Sequence, residues 1–204
     1  MYFNVKNLMN KFCKFLIAAI FCVCSAQYAW CQKVAIKTNL LYDATSTVNA
    51  GIEVALAKKW TLDVSGNWNS WSKTESVLWK HAFAQPELRY WFCDRFSGHF
   101  IGLHGHGGRY NFGNLNNNIK ILDFDISPLS NYRYQGWFAG GGLTYGHAFI
   151  LGEHWNLEMG LGVGYAYTKY DKFECAECGR KLAEDVTFHY YGLTKAFINL
   201  VYLF

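Results

Sequence analysis

Proline is nearly missing from this chain, with two in 204 residues. Together with 19% aromatic residues and 19 glycines, that scarcity excludes disordered, collagen-like and linker-rich chains. Charge is scarce as well, at 17% of residues, which excludes a coiled coil or a solvated helical rod. No segment reaches the ~18 consecutive apolar residues of a transmembrane helix. Mean hydropathy is close to zero although 51% of residues are hydrophobic, so this is no helical membrane bundle. The length suits one domain.

The first 26 residues differ from the rest. Lys6, Lys11 and Lys14 precede the apolar run Phe15–Cys24, and Ser25 and Ala26 supply small residues for cleavage. A basic stretch followed by about ten apolar residues predicts a signal peptide over 1–26, leaving 27–204 as the mature domain. Three of the 19 basic residues and none of the 15 acidic ones fall in it, so the net charge drops from +4 to +1. The basicity belongs mostly to the leader, and nucleic acid is not an expected partner. Cys31, Cys93, Cys175 and Cys178 remain. Tyr28-Ala29-Trp30 before Cys31 lacks the small residues a lipidation site requires.

Beyond the leader the chain alternates with period two. Trp60, Leu62, Val64 and Trp68 oppose Thr61, Asp63, Ser65, Asn67 and Asn69. Trp155, Leu157, Met159, Leu161, Val163, Tyr165 and Tyr167 oppose Asn156, Glu158, Gly160, Gly162 and Gly164. Eight strands are predicted, at 33–43, 47–56, 60–70, 82–92, 96–111, 135–151, 155–169 and 187–204. The parity of 97–111 is not fixed by pattern, and a bulge is the expected cause. Short turns at 57–59, 93–95 and 152–154 are each followed by an aromatic residue: Trp60, Phe96 and Trp155. These three are expected in one interfacial row. Longer connections near 70–81, 112–134 and 170–186 fall at the other end.

The pattern predicts an all-β, eight-stranded antiparallel up-and-down transmembrane barrel. A soluble lipocalin-like barrel is the architectural alternative. It would turn the small, glycine-rich face outward, whereas that face suits a crowded lumen. Lys37, Glu53, Asp63, Glu87, Arg89, Glu158 and Lys195 share its parity and are expected to pair there, because buried charges require partners. The last strand alternates through Ile198, Leu200, Tyr202 and Phe204. This ending resembles the C-terminal signal by which barrel-assembly machinery recognises outer-membrane proteins.

Lys37-Thr-Asn-Leu-Leu-Tyr-Asp43, Asn49-x-Gly51-x-Glu53 and Cys175-x-x-Cys178-Gly179 resemble an uncharacterised Bacteroidota family, a domain of unknown function built as a short outer-membrane β-barrel. The resemblance spans the mature chain. It implies the barrel fold and the outer-membrane compartment, with a surface-assembly or fimbrial partner suggested by the gene neighbourhoods of family members. It brings no catalytic residues.

Candidate chemistry is sparse. Cys175 and Cys178 form a loop pair suited to a disulfide or two thiols; zinc needs more ligands, and only Asp185 and His189 are near in sequence. Cys31 and Cys93 both map near the opposite, short-turn end, where they could pair. His104 and His106 share a strand face, with His147 the one candidate third metal ligand. Ser70, Ser72, His81, Asp171 and His189 are the rim residues a lipid-A-modifying enzyme would draw on, without a spacing that links them. Tyr132, Tyr134, Trp79 and Phe173 offer aromatic anchors around the long loops. The preferred reading is a monomer in outer-membrane lipid, without cofactor or catalytic metal, presenting loops to an envelope or surface-assembly partner. A lipid-A-modifying enzyme, a narrow channel and a soluble ligand-binding barrel are the alternatives.

Overall fold

In the computed structural model the described residues are 33–70, 78–113, 132–174 and 179–204. The chain divides into Met1–Lys33 and Val34–Phe204, and the fold is that of the second unit. The expected signal peptide, Cys31, Ser72, the centre of the 112–134 loop and the Cys175/Cys178 pair lie outside the described residues.

Eight strands follow in up-and-down order: β1 Val34–Asn39, β2 Val48–Ala55, β3 Trp60–Asn69, β4 Leu78–Trp91, β5 Gly98–Gly113, β6 Arg133–Ile150, β7 Trp155–Phe173 and β8 Lys181–Leu203. Each is antiparallel to the next. β8 returns to β1, Ala35–Asn39 against Asn199–Leu203, and closes the sheet. Closure pairs both edges that an open sheet would leave bare. The strands lengthen from six residues in β1 to 23 in β8, so the wall is taller along β4–β8 than along β1–β3.

Alternation fixes which side chains fill the barrel. In β3 the burial pattern switches residue by residue, with Thr61, Asp63, Asn67 and Asn69 inside and Trp60, Leu62, Val64 and Trp68 outside. A one-residue slip would turn all of them over. β5 keeps a single register with both neighbours, so the expected bulge there is absent. Its parity is obscure in sequence because glycines occupy both faces; inside are Phe100, Gly102, His104 and His106.

Several boundaries differ from expectation. The first strand stops at Asn39 instead of 43, because Asn39 caps a short helix α1, Leu40–Ala44, by accepting the Leu41 amide at 3.1 Å. Asp43 then accepts from Thr38 (2.9 Å) and Asn49 (2.7 Å), tying the helix to β1 and β2. The segment 170–186 is largely strand rather than loop. Irregularities between Tyr170 and Phe173 let the β7–β8 ladder continue, and Asp185 with φ 57° sits opposite them. These shifts interrupt the period and hid the strand.

Phe96 is corrected as well. It does not join Trp60 and Trp155 in an outer row. β5 begins at Gly98, so Phe96 lies within the turn, with φ 62°. That conformation is costly for a bulky residue; what it gains is burial at 3% exposure against Trp91, 6.1 Å between ring centres. Trp60 and Trp155 are 42% and 47% exposed on the outside.

The inward glycines are where the lumen is tightest. A Cβ at Gly160 would lie 2.5 Å from the Phe197 ring and 2.6 Å from the Tyr145 carbonyl oxygen. Gly160→Leu should therefore cost about 1–3 kcal/mol by overpacking, a fall in Tm of roughly 2–10 °C. The neighbouring, outward Met159→Leu should leave Tm within about a degree or two of the parent. Thermal melting of the two variants beside the parent checks this.

Candidate functional site: a charged lumen beneath an open mouth

The lumen fills in layers. At the short-turn end Trp91, Phe96, Phe100, Phe197, Val201 and Leu203 form an apolar cluster. Above it lie the seven ionisable residues of the small face, each at most 6% exposed. The structure brings all seven together. Arg89 reaches Glu53 (2.8 Å), Asp63, Glu87 and Glu158 (3.1 Å each), carboxylates from β2, β3, β4 and β7. Lys37 bonds Glu53 and lies 3.1 Å from Glu158. Lys195 is 2.6 Å from Glu87. Neutral donors complete the set: Thr61 to Glu53 and Asn199 to Glu158, while Trp91 Nε1 donates to Thr61 at 2.9 Å. The Arg89 guanidinium also lies over the Phe100 ring, 4.5 Å from its centre.

Each charge meets at least two opposite charges, which offsets the cost of burying it, while Asp63 Oδ1, Glu87 Oε1 and Glu158 Oε1 accept no hydrogen bond among the described residues. The void beside Lys37, Asp63 and Lys195 is only about 20 Å³, room for about one water. The residues behind the family resemblance are its frame. Lys37 pairs with Glu53, Asn39 accepts into α1, and Gly51 leaves the space that the Lys37 stem occupies, since a Cβ there would lie 2.8 Å from Lys37 Cγ.

Toward the tall end the interior becomes aromatic. Trp79 stacks on Phe112 at 4.6 Å, Phe112 on Tyr110 at 5.3 Å, and Phe138 approaches His106, Phe83 and Tyr110. Tyr42 of α1 meets Phe83 edge-on at 5.7 Å. Sequence reasoning places Phe138 on the small face but missed the rest of this column, and Trp91, although the strand members follow their strands' inward parity. Above it opens a mouth cavity of about 540 Å³ whose lining includes Asn69, His81, Tyr110 and Tyr170. That is the size of a small-molecule site.

Of the enzyme candidates, three share the mouth without forming a relay. Ser70, His81 and Asp171 line the mouth, with no hydrogen bond joining them among the described residues. His81 approaches Thr47 at 3.4 Å, whereas Asp171 is held by Lys181 (2.9 Å) and the Asp185 amide (2.9 Å). His189 is on the opposite face of the wall, bonded to Tyr165 at 2.7 Å. His104 and His106 face inward, and His104 is engaged by Thr144 and Thr194 at 2.8 and 2.9 Å. His147 is outside, 4.3 Å from the His99 ring, so the wall separates it from that pair. Among the described residues no group of three or more His, Cys, Asp or Glu is arranged to hold a metal. Asp185, the candidate partner of the loop cysteines, pairs with Lys169 at 3.0 Å. Cys93 is exposed. Of the proposed loop anchors, Trp79, Tyr134 and Phe173 lie within strands, because β4, β6 and β7 extend beyond their expected ends; Tyr132 packs on Lys172 at 3.6 Å.

The cluster holds four carboxylates and three cations. Arg89→Met would leave the four carboxylates with two lysines, and we expect a loss of about 3–5 kcal/mol in urea unfolding. Glu53→Gln equalises the two signs and should cost markedly less. Equal losses for the two variants would mean that side-chain volume, not charge, governs the layer.

No curated protein and no solved structure matches the chain. A family match covers residues 15–204 and with them every strand and the whole charged lumen. The chain belongs to the family described as protein of unknown function (DUF3575).

Proposed function

We propose that this is a transmembrane β-barrel of the outer membrane, exported by a signal peptide at 1–26. Its lumen is plugged, and its role is structural: its tall end is presented to an envelope or surface-assembly partner. The observation that carries this reading is reversed polarity. Seven ionisable side chains are buried inside, while Leu103, Leu143, Leu161 and Val163 are 59–65% exposed outside. A lipocalin-like barrel in water needs the opposite arrangement. Lipid is the solvent that matches the exposed side, and closure of the sheet removes the bare edges that lipid would not tolerate.

The outer face also has the right height. On β7, Trp155 and Tyr165 bracket the apolar residues Leu157, Met159, Leu161 and Val163. Ten residues at ~3.3 Å, tilted by about 40°, rise roughly 25 Å, the height of the apolar band on such barrels. Aromatic rings mark both limits: Trp60–Tyr90 and Trp155–Tyr202 at the short-turn end, Trp137–Tyr167 and Tyr165–Tyr191 at the other. By the usual orientation the short turns face the periplasm and the tall end faces outward. The charged and apolar layers argue against conduction. The separation of Ser70 and His81 from His189 favours a structural role over lipid chemistry.

In an outer-membrane fraction, unboiled protein should run faster than boiled protein on SDS gels, and planar bilayers containing it should remain silent. Protein in the soluble periplasmic fraction, with no gel shift, overturns the reading. Leu161→Arg, in mid-band, should cost about 2–4 kcal/mol in lipid vesicles; a neutral effect would mean that water contacts that face.

A further inference from the structure

At the upper limit of the apolar band the outer face carries basic residues that the charged lumen does not use. Trp68, Ala82, Arg109, Trp137 and Lys169 are successive cross-strand partners from β3 to β7 and form one row around the outside. Lys80, two residues from Ala82 on β4, has the same outward parity and lies diagonally next to Arg109, at the rim where the wall also borders the mouth cavity. Such neighbours stand about 7 Å apart at Cβ, and long side chains of that spacing can converge on one group. Lys169 is already paired with Asp185 at 3.0 Å. Asp171, the other acid at this level, is taken by Lys181 at 2.9 Å. Lys80 and Arg109 have no acidic partner among the described residues. At the short-turn girdle, by contrast, the outward strand positions that include Trp60, Tyr90, Ile101, Tyr145, Trp155 and Tyr202 hold no Lys, Arg, Asp or Glu.

Two neighbouring cations repel each other unless an anion sits between them. This pair is flanked by Trp68 and Trp137, which are 53% and 43% exposed. Indole rings prefer the depth at which acyl chains meet headgroups, and this is where a lipid presents phosphate. From these placements we infer that Lys80 and Arg109 form a binding site for the phosphate of an anionic lipid headgroup in the outward-facing leaflet, with Trp68 and Trp137 packing beside the lipid. Arg109 supplies a planar donor fork suited to phosphate and Lys80 a point charge. The inference rests on the membrane reading, and the experiment separates the two.

The full mature chain is folded into phosphatidylcholine vesicles, with and without diphosphoryl lipid A as the phosphorylated probe, and retained lipid A is measured after delipidating washes. Gel mobility of unboiled samples reports folding independently. The Lys80→Gln/Arg109→Gln double variant should insert and shift on gels like the parent. It should retain lipid A roughly ten-fold or more weakly, the loss expected when charge-assisted hydrogen bonds to phosphate disappear. The charge-keeping Lys80→Arg/Arg109→Lys variant should retain it. Equal retention by parent and Gln variant, or no retention by the parent, overturns the inference while leaving the membrane reading intact. Failure of the parent to insert into phosphatidylcholine overturns both. If the Gln variant does not fold, Arg109→Gln alone is read against Arg109→Lys, and equal retention by those two likewise overturns it.

Discussion

A single guanidinium organises the barrel interior. Arg89 receives carboxylates from β2, β3, β4 and β7, and those strands stand around much of the closed sheet. A charge in that position is sensitive to register: displaced by one residue along its strand, it would face outward with Glu87 while its partners from β2, β3 and β7 stayed inside. The pairing thus constrains register as well as supplying attraction. Net stabilisation from buried ion pairs is often small because desolvation opposes it. The cluster also bears on specificity, since one strand arrangement gives all seven groups oppositely charged partners and a slipped one strands several. The apolar layer of Trp91, Phe100 and Phe197 keeps water from the cluster, and the Phe100 face against Arg89 joins the two layers.

The same period-two pattern that defines the strands also exposed the charge cluster. Lys37, Glu53, Asp63, Glu87, Arg89, Glu158 and Lys195 share the small face in sequence, and closure of the sheet is all that is needed to gather them. Strand number, order and most side-chain directions follow from the same pattern. Phe96 failed because an aromatic after a short turn reads like the start of a strand, and nothing local signals a positive φ bought by burial. Trp79 failed for a related reason: β4 begins earlier than its alternation reveals, since Trp79, Lys80 and His81 mix large, charged and polar residues. The ends of β7 and β8 were concealed by irregular pairing, which breaks a two-residue period without breaking the ladder. Asn39 capping α1 was hidden inside a segment that otherwise reads as strand.

Polarity and height together shape the functional reading. One end of the barrel is closed by apolar packing and tight turns, while the other rises unevenly, carries an open cavity of mixed polar and aromatic lining and ends in long connections. On the proposed reading, a molecule built this way transports little and offers its tall end as a presenting surface. The Lys80–Arg109 pair lies at the border between that surface and the apolar band, and so links the presenting end to its surroundings.

The seam between first and last strands is short. β1 has six residues, and its ladder with β8 runs only from Ala35 to Asn39. Strand pairing alone gives this join few hydrogen bonds, yet Lys37 at its centre reaches Glu53 on β2 and Glu158 on β7, strands on either side of the β1–β8 pair. The join therefore behaves like a zip with an ionic clasp. A chain whose last strand arrives in the wrong register still finds hydrogen-bond partners along β1, but it carries Glu158 of β7 away from Lys37, which is left with Glu53 of β2 alone. The lysine thus ties together the two strands that flank the seam, and only the closed register gives it both carboxylates.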